Sequence, residues 1–199
     1  MLKLTVIVGE EFMADYSDEQ LIACVDLEAT CDSEDWPLEC MEIIEIGAVL
    51  CGLDGAEISR FQTFVKPVHN PVLTDFCVEL TGIQQCQVDS APELPGALVL
   101  LSQWSFMCGP SLWISWGQFD EDLIRIECER YNIDYPFLCE HRNAKKLFAK
   151  SQRFKKRVGL RTAVEKITKI GWQGRHHSGI DDARNLARLT PYIFGQISI

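Results

Sequence analysis

The chain has no Cys-x-x-Cys pair, no apolar run approaching the length of a membrane span, and one basic residue in its first quarter. Each absence removes a class of protein. Its nine cysteines stand at 24, 31, 40, 51, 77, 86, 108, 128 and 139. Structural zinc sites take ligands in closely spaced pairs and disulfide scaffolds are usually smaller secreted chains, so most of these read as reduced thiols, several of them apolar core residues. The apolar stretches at residues 4–8 and 98–101 fall far short of the roughly 20 residues that cross a bilayer. Lys3 followed by Glu10 and Glu11 does not fit a signal peptide, so a cytoplasmic protein with no membrane partner is expected. No internal repeat or low-complexity linker interrupts the 199 residues, of which 47% are apolar. One substantial domain fits that length, and a second would be cramped.

The shortage of basic residues is local. Residues 1–54 hold fourteen Asp or Glu against Lys3 alone, whereas residues 142–188 hold fourteen Lys or Arg against Glu165, Asp181 and Asp182. A formal net charge of −10 therefore hides a basic half. Such asymmetry hints at a polyanionic partner, with a solvated helix face as the common alternative for any one run. The run Lys145, Lys146, Lys150, Arg153, Lys155, Lys156, Arg157 and Arg161 stays open between a nucleic-acid backbone track and such a face.

Residues 21–28 read as a strand in which Ile22, Cys24, Asp26 and Glu28 share one face and Ala23, Val25 and Leu27 the other. Two adjacent acids in a low-dielectric setting raise each other's pKa unless a cation neutralises them, and oxygen ligands suit a hard divalent one. Alone, the pair is equally a strand end running into the acidic loop 32–40. Residues 43–50 and 58–65 read as two further strands, joined too closely for a helical crossover, which makes an antiparallel meander. Helical spacing follows at 74–80, stopped by Thr81-Gly82, and at 93–104. A strand at 112–116 leads into a helix at 120–131, and residues 132–143 are extended or irregular around Pro136. Helices complete the chain at 144–150, 160–169 and 181–193. Strands first, then strands alternating with helices, predict an α/β domain with a mixed sheet covered by helices. Residues 1–20, with a short strand expected at 4–8, receive no function.

Working residues of an open α/β sheet gather at strand ends and adjoining loops. Asp26 and Glu28 end the first strand, Asp120 lies just beyond 112–116, and His177 precedes Asp182 by five residues. Taken singly, Asp120 and Asp182 read as helix-terminal acids. His176 and Asp181 repeat the spacing of His177 and Asp182, so spacing alone does not choose between them. Together, Val25-Asp26-Leu27-Glu28-Ala29-Thr30-Cys31, Trp116-Gly117-Gln118-Phe119-Asp120 and the run from His177 to Asn185 resemble the DEDDh class of 3′-to-5′ exonucleases. Within it they are similar to the Eri-type exoribonucleases, the group of the 3′ exonuclease of histone mRNA. The likeness continues through Glu42-Ile43-Ile44-Glu45, Phe64-Val65-Lys66-Pro67, Phe76-Cys77, Leu80-Thr81-Gly82-Ile83 and Gln87-Val88-Asp89, and covers residues 21–195.

That resemblance implies an RNase H-like mixed five-stranded sheet with helices on both faces, an exonuclease domain over residues 21–199 and an N-terminal extension over 1–20. It implies that Asp26, Glu28, Asp120 and Asp182 hold two divalent metal ions, Mg2+ or Mn2+, and that His177 takes a proton from the attacking water. The family pattern, glycine two residues after the histidine and a small residue after the aspartate, selects His177 and Asp182. It leaves His176 to the surface or the substrate and Asp181 as N-cap of the last helix. Ala29 and Thr30 would lie against the terminal nucleotide, and Leu80, Thr81 and Gly82 against its sugar and base. Phe119 would offer a stacking face, while Trp116 more readily packs in the core. The implied activity releases nucleoside 5′-monophosphates from single-stranded 3′ ends, of RNA ahead of DNA. A DNA exonuclease of proofreading type is the alternative, and after it a non-catalytic binding module on the same fold.

Overall fold

The structure, a computed structural model, describes residues 20–33 and 35–199. The strand expected at residues 4–8 lies outside them. Strand β1 (Ile22–Ala29) sits at the centre of the sheet because both of its faces are apolar over most of its length. One face, Ala23, Val25, Leu27 and Ala29, packs with Leu98, Leu101, Leu123 and Ile124. The other begins with Ile22 and Cys24, packed with Ile114, Phe148, Ala183 and Leu186, and then turns acidic at Asp26 and Glu28. The strand therefore changes character halfway along one face only.

The sheet follows from that centre. β2 (Ile43–Cys51) pairs antiparallel with β1, and β3 (Glu57–Phe64) antiparallel with β2, which is the expected meander. β4 (Leu112–Ser115) runs parallel to β1 on its other side, giving the order β3-β2-β1-β4-β5. Beyond the meander, α1 (Asp75–Thr81) is capped by the Thr74 hydroxyl, which accepts the Cys77 N–H, and closed by Gly82 at φ +71°. α2 (Gln85–Asp89) and α3 (Leu94–Cys108) follow, then α4 (Phe119–Tyr131) after β4. α3 and α4 cover one face of the sheet. α5 (Ala144–Ser151), α6 (Leu160–Thr162), α7 (Gly179–Ala187) and α8 (Thr190–Ile193) cover the other. The mixed five-stranded sheet with helices on both faces is thus present among the described residues.

Four stretches add to or depart from the local expectations. Residues 132–143, expected to be extended or irregular, end in β5 (Glu140–Asn143), a parallel edge strand beside β4. Its polar, half-exposed sequence has no apolar alternation to announce it. α2 carries no periodic signal in the sequence, since five residues held by a reciprocal Gln84–Gln87 capping box are too few to show one. The helix expected at 160–169 is one short α-turn followed by a π-turn at Ala163–Ile167, where the Thr168 hydroxyl donates to the Ala163 and Val164 carbonyls. The helix expected at 181–193 starts earlier and breaks: α7 is entered from Ser178, so Asp181 lies in its first turn and is not its N-cap, and Pro191, which has no N–H, opens the separate α8. All nine cysteines are free, with Cys24, Cys51, Cys77 and Cys128 buried.

Candidate active site

The acidic end of β1 meets the start of α7. Backbone must approach backbone closely there, and two glycines allow it. A Cβ on Gly47 of β2 would overlap the Gly179 carbonyl carbon and the Ile180 nitrogen, and one on Gly179 would press on the Asp26 carbonyl. Glu45, one register step along β2 and buried, closes the contact. Its carboxylate accepts the N–H groups of Gly179 at 3.0 Å and Ile180 at 3.4 Å, the free donors at the N-terminus of α7, and the amide of Gln62 at 2.8 Å. Glu45 thereby sets where α7 begins and where its acids point. Gly47→Ala should lower stability by roughly 1–3 kcal/mol, as overpacking does, and displace α7 with a loss of activity. A thermal melt within a degree or two of wild type would contradict this.

Of the two aspartates in the first turn of α7, Asp182 is buried and turns to the sheet. Its carboxylate, that of Asp26 and that of Glu28 place ligating oxygens within 4.8 Å of one another. Asp181 turns away, accepting the Arg175 N–H at 2.9 Å and pairing with Arg184 at 3.4 Å. His177 and His176 both offer a ring nitrogen within the same 4.8 Å range of Asp182. His177 is held at φ +61°, a left-handed conformation uncommon outside glycine. His176, expected at the surface or against the substrate, is half-buried, edge-on to Trp172 at 5.1 Å and to His177 at 3.9 Å between ring centroids. Asp120 comes from the first turn of α4, buried, and is tethered to the same strand: its Oδ1 accepts the Leu27 N–H at 3.1 Å. It stands outside the 4.8 Å group, yet close enough for its charge to raise the pKa of Asp26.

Electrostatics mark this cluster as unsatisfied. Burial first, and then the charges of Asp120, Asp182, Glu28 and Glu45, push the Asp26 carboxyl well above the usual range. Glu28 is raised by burial and by Asp182, Asp120 is pushed up to about 6 by burial, and Asp182 to about 7 by burial with Asp181 and Glu45 adding to it. Asp182 Oδ1 is buried with no hydrogen-bond partner. Crowded hard oxygens with an orphaned lone pair fit a divalent cation of the Mg2+ or Mn2+ type.

Around the cluster, the remaining expected positions differ in what they expose. Ala29 and Thr30 are buried, and the Thr30 hydroxyl is already committed to the Glu42 N–H at 2.9 Å. Thr81 is buried as well, donating to the Cys77 carbonyl and accepting from Ile83. Leu80 and Phe119 are 36% and 41% exposed, leaving apolar faces open. Trp116 is half-buried against Phe148, with its indole N–H on the Val158 carbonyl at 3.0 Å, consistent with packing. Arg175 carries no motif signal, yet its guanidinium lies over Gly82 and donates to the Glu79 carbonyl at 3.3 Å, joining α1 to the histidine loop. Glu45 lies in a stretch that resembles the exonucleases, but nothing in its spacing announces that it caps a helix more than a hundred residues away.

A three-strand meander extended by two parallel strands, with helices on both faces and acids from β1, α4 and α7 gathered at its end, is an RNase H-like architecture. A profile of the family described as Exonuclease (RNase T) matches residues 23–190, and the chain belongs to that family. It is 34% identical over 83% of its length to mouse ERI1 exoribonuclease 2, and 33% identical over 84% to human 3′-5′ exoribonuclease 1. The chain spans 27% and 50% of those two proteins. The solved nuclease domain of 3′hExo, a DEDDh family member bound to rAMP, superposes with a TM-score of 0.74 at 33% identity, over 87% of this chain and 90% of that one.

Proposed function

We propose that residues 21–199 form a metal-dependent 3′-to-5′ exonuclease domain acting on single-stranded RNA ends and releasing nucleoside 5′-monophosphates. The observation that carries this is the convergence of Asp26, Glu28 and Asp182 on one buried point, beside His177, with an unpartnered carboxylate oxygen. Those three acids and Asp120 are the groups that would hold two divalent cations. Bound there, such ions lower the pKa of a water and neutralise charge on a phosphoryl group. His177 has a pKa held down by burial and by the charges of His176 and Arg175, so its imidazole is unprotonated at neutral pH and free to accept the water's proton. Leu80 and Phe119 supply open apolar surface for the terminal base and sugar, and Ala29, Thr30, Thr81 and Gly82 would meet that nucleotide through backbone. RNA is favoured because the relatives are named exoribonucleases and the solved nuclease domain is bound to rAMP.

The test sets 5′-labelled and 3′-labelled RNA and DNA side by side with Mg2+, Mn2+ or EDTA. Ladders from 5′-labelled RNA that vanish with EDTA are expected. Internal cuts, metal-independent cutting or no cutting would overturn the reading, and ladders from DNA alone would replace RNA by DNA.

A further inference from the structure

The acid cluster that suits metal repels the phosphates of an approaching strand, so a separate cationic surface is needed to hold it. Residues 153–157, Arg153-Phe154-Lys155-Lys156-Arg157, are all exposed, and among the described residues none of the four cations pairs with a carboxylate. Four cations thus fall within five residues of a chain whose net charge is −10.

The segment is fixed in place. The Phe154 N–H donates to the Ala149 carbonyl at 2.8 Å, and Gln152 at its base bonds the Tyr192 and Ile197 carbonyls. The Phe154 ring stacks on Phe148 at 5.9 Å, and Phe148 in turn packs on Trp116 at 5.5 Å. At its far end, Val158 takes the Trp116 indole N–H. Trp116 stands three residues before Phe119 and four before Asp120, so the loop is anchored on the segment that carries both. On α6, Arg161 lies close enough to His176 for its charge to bear on that imidazole. The basic segment thus lies beside Trp116, and Arg161 carries positive charge on to the histidine loop, with Phe154 38% exposed among the cations.

Resting on the exonuclease reading, we propose that residues 153–157 are the landing track for the RNA strand on the 5′ side of the nucleotide being removed, its phosphates on Arg153, Lys155, Lys156 and Arg157 and a base on the open edge of Phe154. Cations around an exposed aromatic ring match single-stranded nucleic acid, whose backbone and bases they contact together. Lys146 and Lys150, on the exposed side of α5, are left as a solvated face.

The test compares wild type with the triple variant Lys155→Ala, Lys156→Ala, Arg157→Ala on a dinucleotide and on a single strand long enough to pass the loop. The triple variant should cleave the dinucleotide at the wild-type rate, confirming that it is folded, and show a raised KM on the long strand. Its plot of log affinity against log salt should be less steep by roughly 2, about 0.7 for each lost phosphate contact. Phe154→Leu, which keeps packing on Phe148, should weaken long-strand binding without changing that slope. An unchanged slope in the triple variant, or equal losses on both substrates, would overturn the track. A wild type that cleaves neither substrate would sink the exonuclease reading alone, since the salt slopes of binding still judge the track.

Discussion

Asp26→Asn should abolish metal-dependent hydrolysis, by more than about 100-fold, and at the same time raise the thermal midpoint of the metal-free protein. The first half follows from the site. Even outer partners of metal ligands cost roughly 10–100-fold when lost, and Asp26 would be a direct ligand at the centre of the group. The second half follows from repulsion. Asp26 is raised by burial and by four neighbouring acids, so the neutral amide removes a charge that the folded state tolerates poorly. The pH dependence has a definite sign. Carboxyls whose folded pKa lies above the unfolded value bind protons more readily when folded, so their stabilising contribution is complete below about pH 4 and is lost as pH rises through the folded values. With Asp120 near about 6 and Asp182 near about 7, the metal-free wild type should lose thermal stability between about pH 5 and pH 8. The asparagine variant should lose less over that window. Added Mn2+ should raise the melting temperature of the wild type and leave the variant almost unmoved. Near-wild-type hydrolysis, or an equal metal-induced shift in both proteins, would remove Asp26 from the metal site.

His177→Ala should reduce turnover by roughly 10²–10⁴-fold, the usual worth of a positioned general base, while metal-induced stabilisation and RNA affinity stay close to wild type. His177 occupies the left-handed region, and alanine carries the same Cβ and the same backbone cost there, so the variant should denature close to wild type. His176→Ala is the informative companion. Its ring packs on Trp172 and touches His177 from the side, so its loss should loosen the loop and lower turnover far less. The acid limb of the wild-type kcat profile should fall below about pH 6.5, because burial, His176 and Arg175 all lower the His177 pKa, and it should be absent from His177→Ala. Equal defects in the two histidine variants would mean that they act as one unit, and a larger defect in His176→Ala would reverse their roles.

How much of this was legible in the sequence depended on range. The alternation of β1, the meander and the Thr74–Gly82 boundaries of α1 are written in neighbouring residues, and the structure has them where expected. β5 shows in the sequence only as extended chain, because an edge strand of Glu140, His141, Arg142 and Asn143 draws its order from β4 and not from its own side chains. The start of α7 was misplaced by two residues for a related reason. Asp181 has the look of an N-cap, but the cap of that helix is supplied from β2 by Glu45.

The sequence by itself determined the class of fold, the acids on one face of β1 and the order of the motifs, because period-two alternation, turn residues and motif spacing are local properties. Only the tertiary structure showed which of the two aspartates joins the metal-binding acids, with both histidines in reach of it. It turned Asp182 inward and Asp181 toward Arg175 and Arg184. That choice rests on the close approach of Gly47 to Gly179 and the grip of Glu45 on the first N–H groups of α7, contacts more than 130 positions apart along the chain. Only packing brings such residues together.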